Sequence, residues 1–110
     1  MITGGAIAFI VDAFSRNKKI EYTCVAHEQA AAMMADAYSR VGPNLGATMV
    51  TSGPGATNLI TGIACSWFDS VPTIHISGQV NQHELSGHDK NTSKVRQVGF
   101  QETDIVSIVK

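Results

Sequence analysis

Hydrophobic positions follow a helical period in three separate stretches of the chain. Apolar residues recur every three or four positions over residues 5–15 and again over Glu28–Val41, where no Gly or Pro interrupts the pattern. The same spacing resumes over residues 56–68, after a turn rich in glycine. The sequence therefore predicts three helices, and the Ala- and Met-rich Glu28–Val41 has the strongest intrinsic helix preference.

Short apolar stretches without a helical period lie between these helices. Residues 20–25 are rich in β-branched and aromatic side chains, which favours a strand. Residues 46–51 and 72–77 lack polar alternation, a pattern typical of parallel strands that are covered on both faces. Helices that alternate with strands predict right-handed crossovers. The predicted fold class is therefore α/β, a three-layer α/β/α arrangement around a mostly parallel sheet.

The last third of the chain is polar and has no clean period. Residues 81–98 predict a flexible polar loop, because a connection of this length is usually functional or disordered. His83 and His88 lie in this loop beside acidic residues, but without the spacing of a known metal site, so no metal is assigned. Residues 103–109 predict a short helix with a polar cap at its start.

Length, charge and cysteine content narrow the class of protein. The 110 residues are 44% hydrophobic and 15% charged, which suits one domain with its own core. A net charge of −1 gives no field that favours nucleic acid or a membrane surface, and the apolar runs are shorter than the roughly 18 residues of a membrane span. Cys24 and Cys65 each lie in an apolar stretch, which predicts buried, reduced thiols in a cytoplasmic protein.

Two successive strand-to-helix turns carry the candidate chemistry. Glu28 opens one predicted helix, and Gly53-Pro54-Gly55 precedes the next. Such turns lie at the carboxyl ends of parallel strands, so Glu28 and the glycine turn are expected on one rim of the sheet, where ligands bind. Two plainer interpretations stay open. Glu28 is also explained as a favourable charge at a helix start, and the turn, which matches no known phosphate-binding motif, as a simple chain reversal.

Longer motifs around these turns occur in a characteristic order. They are His27-Glu28-Gln29-Ala30-Ala31, Val50-Thr51-Ser52-Gly53-Pro54-Gly55-Ala56-Thr57-Asn58, Asp69-Ser70-Val71-Pro72, Ser77-Gly78-Gln79-Val80 and Phe100-Gln101-Glu102-Thr103-Asp104. Together they resemble the pyrimidine-binding (PYR) domain of thiamine-diphosphate-dependent enzymes of the acetolactate synthase group. The resemblance covers nearly the whole chain and implies a single partial PYR domain over residues 1–110, with an incomplete thiamine-diphosphate-binding fold.

The resemblance implies a reaction and a set of site residues. Glu28 would be catalytic and cofactor-binding, since the matching Glu of the family hydrogen-bonds N1′ of the cofactor's aminopyrimidine and promotes its imino tautomer. Pro54 and Asn58 would bind the pyrimidine end of thiamine diphosphate. The implied substrate-side residues are Gln79, Gly4 and Gly5. The implied reaction is decarboxylation of a 2-oxo acid and transfer of the resulting enamine to an acceptor, with the cofactor as electron sink.

The chain also departs from the family. Ile2-Thr3-Gly4-Gly5 stands where the group usually has Tyr-Pro-Gly-Gly, so a substrate-side contact is expected to differ. The chain is expected to be truncated at both ends and to lack the separate domain that binds magnesium and the diphosphate. It is therefore expected to be inactive alone and to form homo-oligomers. The donor, the acceptor and any need for FAD stay open.

A second hypothesis is a non-catalytic α/β module that keeps the fold for binding or assembly. The two hypotheses differ in the role of Glu28. If the chain belongs to an enzyme, Glu28→Gln in the complete protein is expected to abolish proton exchange at C2 of the bound cofactor. If it is a module, the substitution leaves that exchange unchanged.

Overall fold

The computed structural model describes residues 3–88 and 95–110. The predictions that concern Ile2 and residues 89–94 of the polar loop, which include Asp89, fall outside the described residues. The helices are α1 (Ala8–Arg16), α2 (Glu28–Val41), α3 (Pro54–Thr57), α4 (Ile60–Phe68) and α5 (Ile105–Ile108), with 3-10 turns at Gly5–Ile7 and Gln82–Glu84. None of the described helices has the length and apolar character to cross a membrane.

The sheet of the described chain is parallel. It consists of β1 (Gly46–Val50) and β2 (Thr73–Ser77), with Thr48 opposite His75 in the register. Parallel neighbours need a crossover connection, and α3 and α4 provide it. Helices connected through a parallel sheet confirm the predicted α/β fold class.

The strand predicted at residues 20–25 is wrong for the described chain. These residues take no regular secondary structure, and the sheet contains β1 and β2 alone among the described residues. A cavity of about 590 Å³ lies between this segment, α2 and β1. Its apolar lining includes Ile20, Tyr22, Val25, Met34 and Met49. A strand needs a backbone partner about 5 Å away, and residues 20–25 share no ladder with β1.

The helix predicted over residues 56–68 is divided into two. Pro54, whose fixed φ suits the first helical position, starts α3 earlier than expected. Leu59 N then donates to Ala56 O at 3.1 Å, a tighter bond than the α-helical one, and the chain turns at Asn58 and Leu59 before α4 begins. The break leaves Asn58 at the carboxyl end of α3.

The core forms where α2 packs closely on β1 and α4. Ala32, Val50, Ala56 and Leu59 are almost fully buried there. Gly62 makes the approach possible, since a Cβ on it would lie 2.2 Å from Ala32 Cβ. The small residues of α2 thus serve helix packing, and this packing brings the amino end of α2 to the turn that follows β1.

The prediction that both cysteines are buried is wrong. Cys24 and Cys65 are free and exposed. Cys24 lies in the segment that stays outside the sheet, and α4 buries Gly62 and Ser66 instead of Cys65. The apolar neighbours of each cysteine in the sequence therefore did not indicate its burial.

A polar network joins the far ends of α2 and α4. Arg40 donates from Nε to Asp36 Oδ1 at 2.5 Å and from Nη2 to Asp69 Oδ2 at 2.6 Å. Ser66 Oγ donates to Asp36 Oδ2 at 2.8 Å. The bonds from Arg40 and Ser66 hold the pKa of Asp36 below its ordinary value. The network fixes the two helices relative to each other, and one of them carries Glu28 at its other end.

Candidate functional site

Glu28 is the first residue of α2, and His27, the residue before it, caps the helix. His27 has extended backbone angles, and its Nδ1 accepts a hydrogen bond from Gln29 N at 3.1 Å. A side-chain acceptor at this position satisfies one of the open N–H groups at a helix start. This role of His27 was not predicted, because imidazole is an uncommon capping group. The cap defines where α2 begins and hence where Glu28 leaves the backbone.

The turn after β1 depends on glycine. Gly53 has φ 61° and ψ −125°, angles that residues with a Cβ rarely adopt. Thr57 N donates to Gly53 O and Asn58 N donates to Pro54 O, both at 3.0 Å. These bonds form the single helical turn of α3, which carries Asn58 back towards the start of α2.

Glu28 and Asn58 meet at the rim of the sheet. Asn58 Nδ2 donates to Glu28 Oε2 at 2.9 Å, although the two residues are 30 positions apart. The side chain of Glu28 is half-buried. Two of the predicted site residues are thus in direct contact, and the amide of Asn58 fixes one carboxylate oxygen of Glu28 in place.

Two glycines allow the side chain of Thr51 to pack closely beside this carboxylate. A Cβ on Gly55 would lie 3.5 Å from Glu28 Oε1 and 2.8 Å from Thr51 Cγ2. A Cβ on Gly4 would lie 2.5 Å from Thr51 Oγ1. Thr51 therefore lies between Gly4 and Gly55, next to Glu28. Thr51 was not among the predicted site residues, and its position directly after β1 is the one signal in the sequence that points to it.

The other predicted site residues lie at the margin of this group. Pro54 is exposed at the first position of α3. A Cβ on Gly5 would have nothing within 4 Å of it, so Gly5 faces open space. The structure joins Gln79 to another partner, since its Nε2 donates to Thr103 O at 2.8 Å and its Oε1 accepts from Val80 N at 2.9 Å.

A second segment that the sequence analysis left without a role lies on the glycine turn. A Cβ on Gly53 would lie 2.0 Å from Gln101 O. Gln101 has φ 52°, which is uncommon for a residue other than glycine. The backbone of Gln101 therefore covers the turn that leads to Asn58. The motif that contains Gln101 is visible as a sequence pattern, but its contact with Gly53 was not predicted.

Within the described residues there is no group of three or more His, Cys, Asp or Glu side chains that could hold a metal ion. Glu84 caps the 3-10 turn at Gln82–Glu84, where its carboxylate accepts from Asn81 N at 3.1 Å. The histidines of the loop, His83 and His88, are exposed. The described chemistry of this site is therefore that of a carboxylate and an amide beside a glycine turn.

These features define a class of protein. A carboxylate and an amide that meet beside a glycine turn, at the carboxyl end of a parallel strand, form a typical site for a small organic ligand in an α/β domain. The model of the thiamine pyrophosphate enzyme family, N-terminal TPP binding domain, matches residues 1–108. The chain belongs to this family, as the recognised motifs predicted.

Individual relatives are acetolactate synthases. The large subunit from Buchnera aphidicola subsp. Acyrthosiphon pisum is 49% identical over 105 residues. The isozyme 3 large subunit of Escherichia coli (strain K12) is 46% identical over 105 residues. The mitochondrial acetolactate synthase of Schizosaccharomyces pombe is 45% identical over 105 residues. Each alignment covers 96% of this chain but only 14 to 17% of the relative, so the chain corresponds to a small part of those proteins.

Proposed function

We propose that this chain is the pyrimidine-binding part of a thiamine-diphosphate-dependent, acetolactate synthase-like enzyme. The complete enzyme would decarboxylate a 2-oxo acid and transfer the remaining fragment to an acceptor. The observation that carries the proposal is the contact of Glu28 with Asn58 at the rim of a parallel sheet. The names of the relatives support the reaction type, and the family supports the cofactor.

The residues at the rim fit the aminopyrimidine of thiamine diphosphate. A ring nitrogen needs a carboxyl group that can share a proton with it, and Glu28 provides one. Asn58 holds Glu28 Oε2, while Glu28 Oε1 faces Gly55. Gly55 places no side chain of its own beside this second oxygen, and in this proposal the pyrimidine ring reaches the carboxylate there. The donor set and the glycine cradle therefore agree with the proposed cofactor.

Each residue of this chain then has a defined task. When bound, thiamine diphosphate supplies a nucleophilic carbon and an electron sink for decarboxylation. Glu28 exchanges a proton with the pyrimidine ring, and Asn58 keeps the carboxylate oriented. Pro54 lies beside the pyrimidine end. Gly4, Gly5 and Gln79 are the substrate-side residues of the proposal.

The diphosphate and its magnesium ion are assigned to another domain of the complete enzyme in this proposal. The chemistry of the described rim supports this assignment, because the rim consists of a carboxylate, an amide and glycines. A diphosphate needs cationic or metal partners. We also propose a cytoplasmic location, which both free cysteines support.

A titration with the two halves of the cofactor tests the pyrimidine assignment. We expect 4-amino-5-hydroxymethyl-2-methylpyrimidine to bind the 110-residue chain weakly, and to shift the NMR signals of Glu28, Gly55 and Asn58. The thiazole half, 4-methyl-5-(2-hydroxyethyl)thiazole, is the matched control and is expected to leave these signals in place. Binding of both halves alike, or shifts confined to other residues, would contradict the assignment.

The assembly state provides a separate test. The sheet ends at β1 on the side of the cavity, and apolar side chains are exposed on the sheet, among them Ile74 at 45% and Ile76 at 44%. Open strand edges and apolar faces favour association. We therefore propose that the chain forms a homo-oligomer. Light scattering over a concentration series is expected to give a mass that exceeds the 11.7 kDa of one chain and rises with concentration. A constant mass of one chain at high concentration would contradict it.

A further inference from the structure

Two glutamates connect the two sides of the polar loop. Glu102 Oε1 accepts hydrogen bonds from Ser86 N, at 3.1 Å, and from the hydroxyl of Ser86. The backbone carbonyl of Glu84 accepts from Gly99 N at 2.8 Å. Gly99 is buried, and a Cβ on it would lie 3.0 Å from the carbonyl oxygen of Glu84. The described ends of the loop are thus joined at its base by a backbone bond and a side-chain bond.

Residues 99–102 form a tight turn between these two connections. Glu102 N donates to Gly99 O at 3.3 Å, which closes the turn. Gln101, at its third position, has φ 52°. A left-handed backbone is unfavourable for a residue with a Cβ, because the Cβ comes close to the following carbonyl oxygen. Such a conformation persists when the surrounding contacts hold it, and the bonds of Glu102 to Ser86 follow immediately.

The turn of residues 99–102 packs directly against the glycine turn of the proposed cofactor site. The carbonyl oxygen of Gln101 lies only 2.0 Å from the position that a Cβ on Gly53 would take. Gly53 O accepts the first hydrogen bond of α3, and the C-cap of α3 is Asn58, which donates to Glu28. A continuous series of contacts therefore leads from the base of the polar loop to the carboxylate at the rim.

We infer that Glu102 is a positioning residue, which holds residues 99–102 on Gly53 through Ser86 and so sets Asn58 beside Glu28. The catalytic meaning of this role rests on the proposed function, but the role itself concerns the free chain. The carboxylate of Glu102 binds Ser86, and its effect on the rim passes through the backbone of Gln101 and the turn at Gly53. The contacts at the base of the polar loop thereby influence the position of Asn58 beside Glu28.

The side-chain amide of Asn58 reports on this role directly. We expect its two NMR signals in the unsubstituted chain to differ from those of an asparagine amide that donates to water alone, because Asn58 Nδ2 donates to Glu28 Oε2. In Glu102→Ala they are expected to move most of the way to the exposed positions. Glu102→Gln and Ser86→Ala are expected to cause smaller shifts in the same direction, because each leaves one acceptor or donor of the pair in place.

Asp104→Asn is the matched control, since Asp104 also accepts from a serine. Asp104 lies two residues after Glu102. Its carboxylate accepts hydrogen bonds from Ser107 N at 3.3 Å and from Ser107 Oγ at 2.5 Å. The substitution removes the same charge as Glu102→Gln and weakens an equivalent pair of bonds, so a similar general loss of stability is expected in both variants. The Asn58 signals are expected to move only in the Glu102 and Ser86 variants.

Two results would overturn the inference. One is an unmoved Asn58 amide in folded Glu102→Ala, and the other is an equal shift in Asp104→Asn. If Glu102→Ala does not fold, the Glu102→Gln and Ser86→Ala variants decide, and unmoved Asn58 signals in both reject the role. Because the measurement needs no ligand, a chain that fails to bind the pyrimidine would remove the proposed function and leave this result standing.

Discussion

Gly53→Ala is expected to destabilise the chain by about 3 kcal/mol or more, the largest effect on stability among the proposed substitutions. The backbone at φ 61° and ψ −125° is strained for any residue with a Cβ, at a cost on the order of 1–3 kcal/mol. The new Cβ would also lie 2.0 Å from Gln101 O, which is backbone and cannot simply rotate away. Since small domains are stable by only about 5–15 kcal/mol, this loss is large.

Thermal unfolding followed by circular dichroism measures this effect. A loss of about 3 kcal/mol is expected to lower Tm by more than roughly 10 °C in a domain of this size. Two glycines separate the causes. Gly87 has φ 83° in open space, so Gly87→Ala carries only the backbone cost. Gly5 has neither a positive φ nor a close neighbour, so Gly5→Ala is expected to change Tm little.

The order of these three Tm values tests the described contact. We expect Gly53→Ala to be lowest, Gly87→Ala intermediate and Gly5→Ala close to the unsubstituted chain. Equal Tm values for Gly53→Ala and Gly87→Ala would mean that the turn of residues 99–102 moves away at no cost. That outcome would also weaken the positioning role of Glu102, because the role needs this contact.

Glu28→Gln is expected to have the largest effect on activity. In the proposed function, Glu28 exchanges a proton with the pyrimidine ring, and loss of a general acid-base group typically costs about 100- to 10,000-fold in rate. Hydrogen–deuterium exchange at C2 of bound thiamine diphosphate, in the longest polypeptide that the gene encodes, measures this step. We expect exchange in the variant to fall by at least about 100-fold.

The fold is expected to tolerate this substitution. A glutamine at position 28 keeps an oxygen that can accept from Asn58 Nδ2, so the bond at the rim survives. Loss of a negative charge at the start of α2 costs only about 0.3–1 kcal/mol. Glu21→Gln, at an exposed glutamate ahead of α2, is the matched control with the same change of charge. C2 exchange that is unchanged in Glu28→Gln would support the non-catalytic module instead.

Local patterns were sufficient for the predicted element types that depend on neighbouring residues. Glu28–Val41 is a helix over the predicted residues, because strong helix formers fill it and Gly42-Pro43 follows it. Continuous apolar runs correctly indicated parallel strands at β1 and β2, but the predicted cover on both faces is wrong for β2, where Ile74 and Ile76 are exposed. The order of the elements also led us to expect Glu28 and the glycine turn at one rim. The strand that this argument put before Glu28 is absent from the described residues, and the packing of α2 on β1 brings Glu28 to the turn, where it contacts Asn58.

Contacts between distant residues decided what the sequence did not reveal. Residues 20–25 have strand composition but no strand neighbour in the described chain, and strand pairing depends on the partner as much as on the residues themselves. Gln79 Nε2 donates to Thr103 O, a contact that no local pattern predicted, and the exposure of Cys65 follows from which side of α4 meets α2.

The sequence by itself determined the α/β class and the family motifs that contain Glu28 and Asn58, because periodicity and sequence motifs are local properties of the chain. Only the tertiary structure revealed that the carbonyl of Gln101 occupies the space that Gly53 leaves open. It alone also showed that Glu102 binds Ser86 across the base of the polar loop. These contacts join residues that are far apart in the chain, and no local preference specifies which backbone groups will meet when the elements pack.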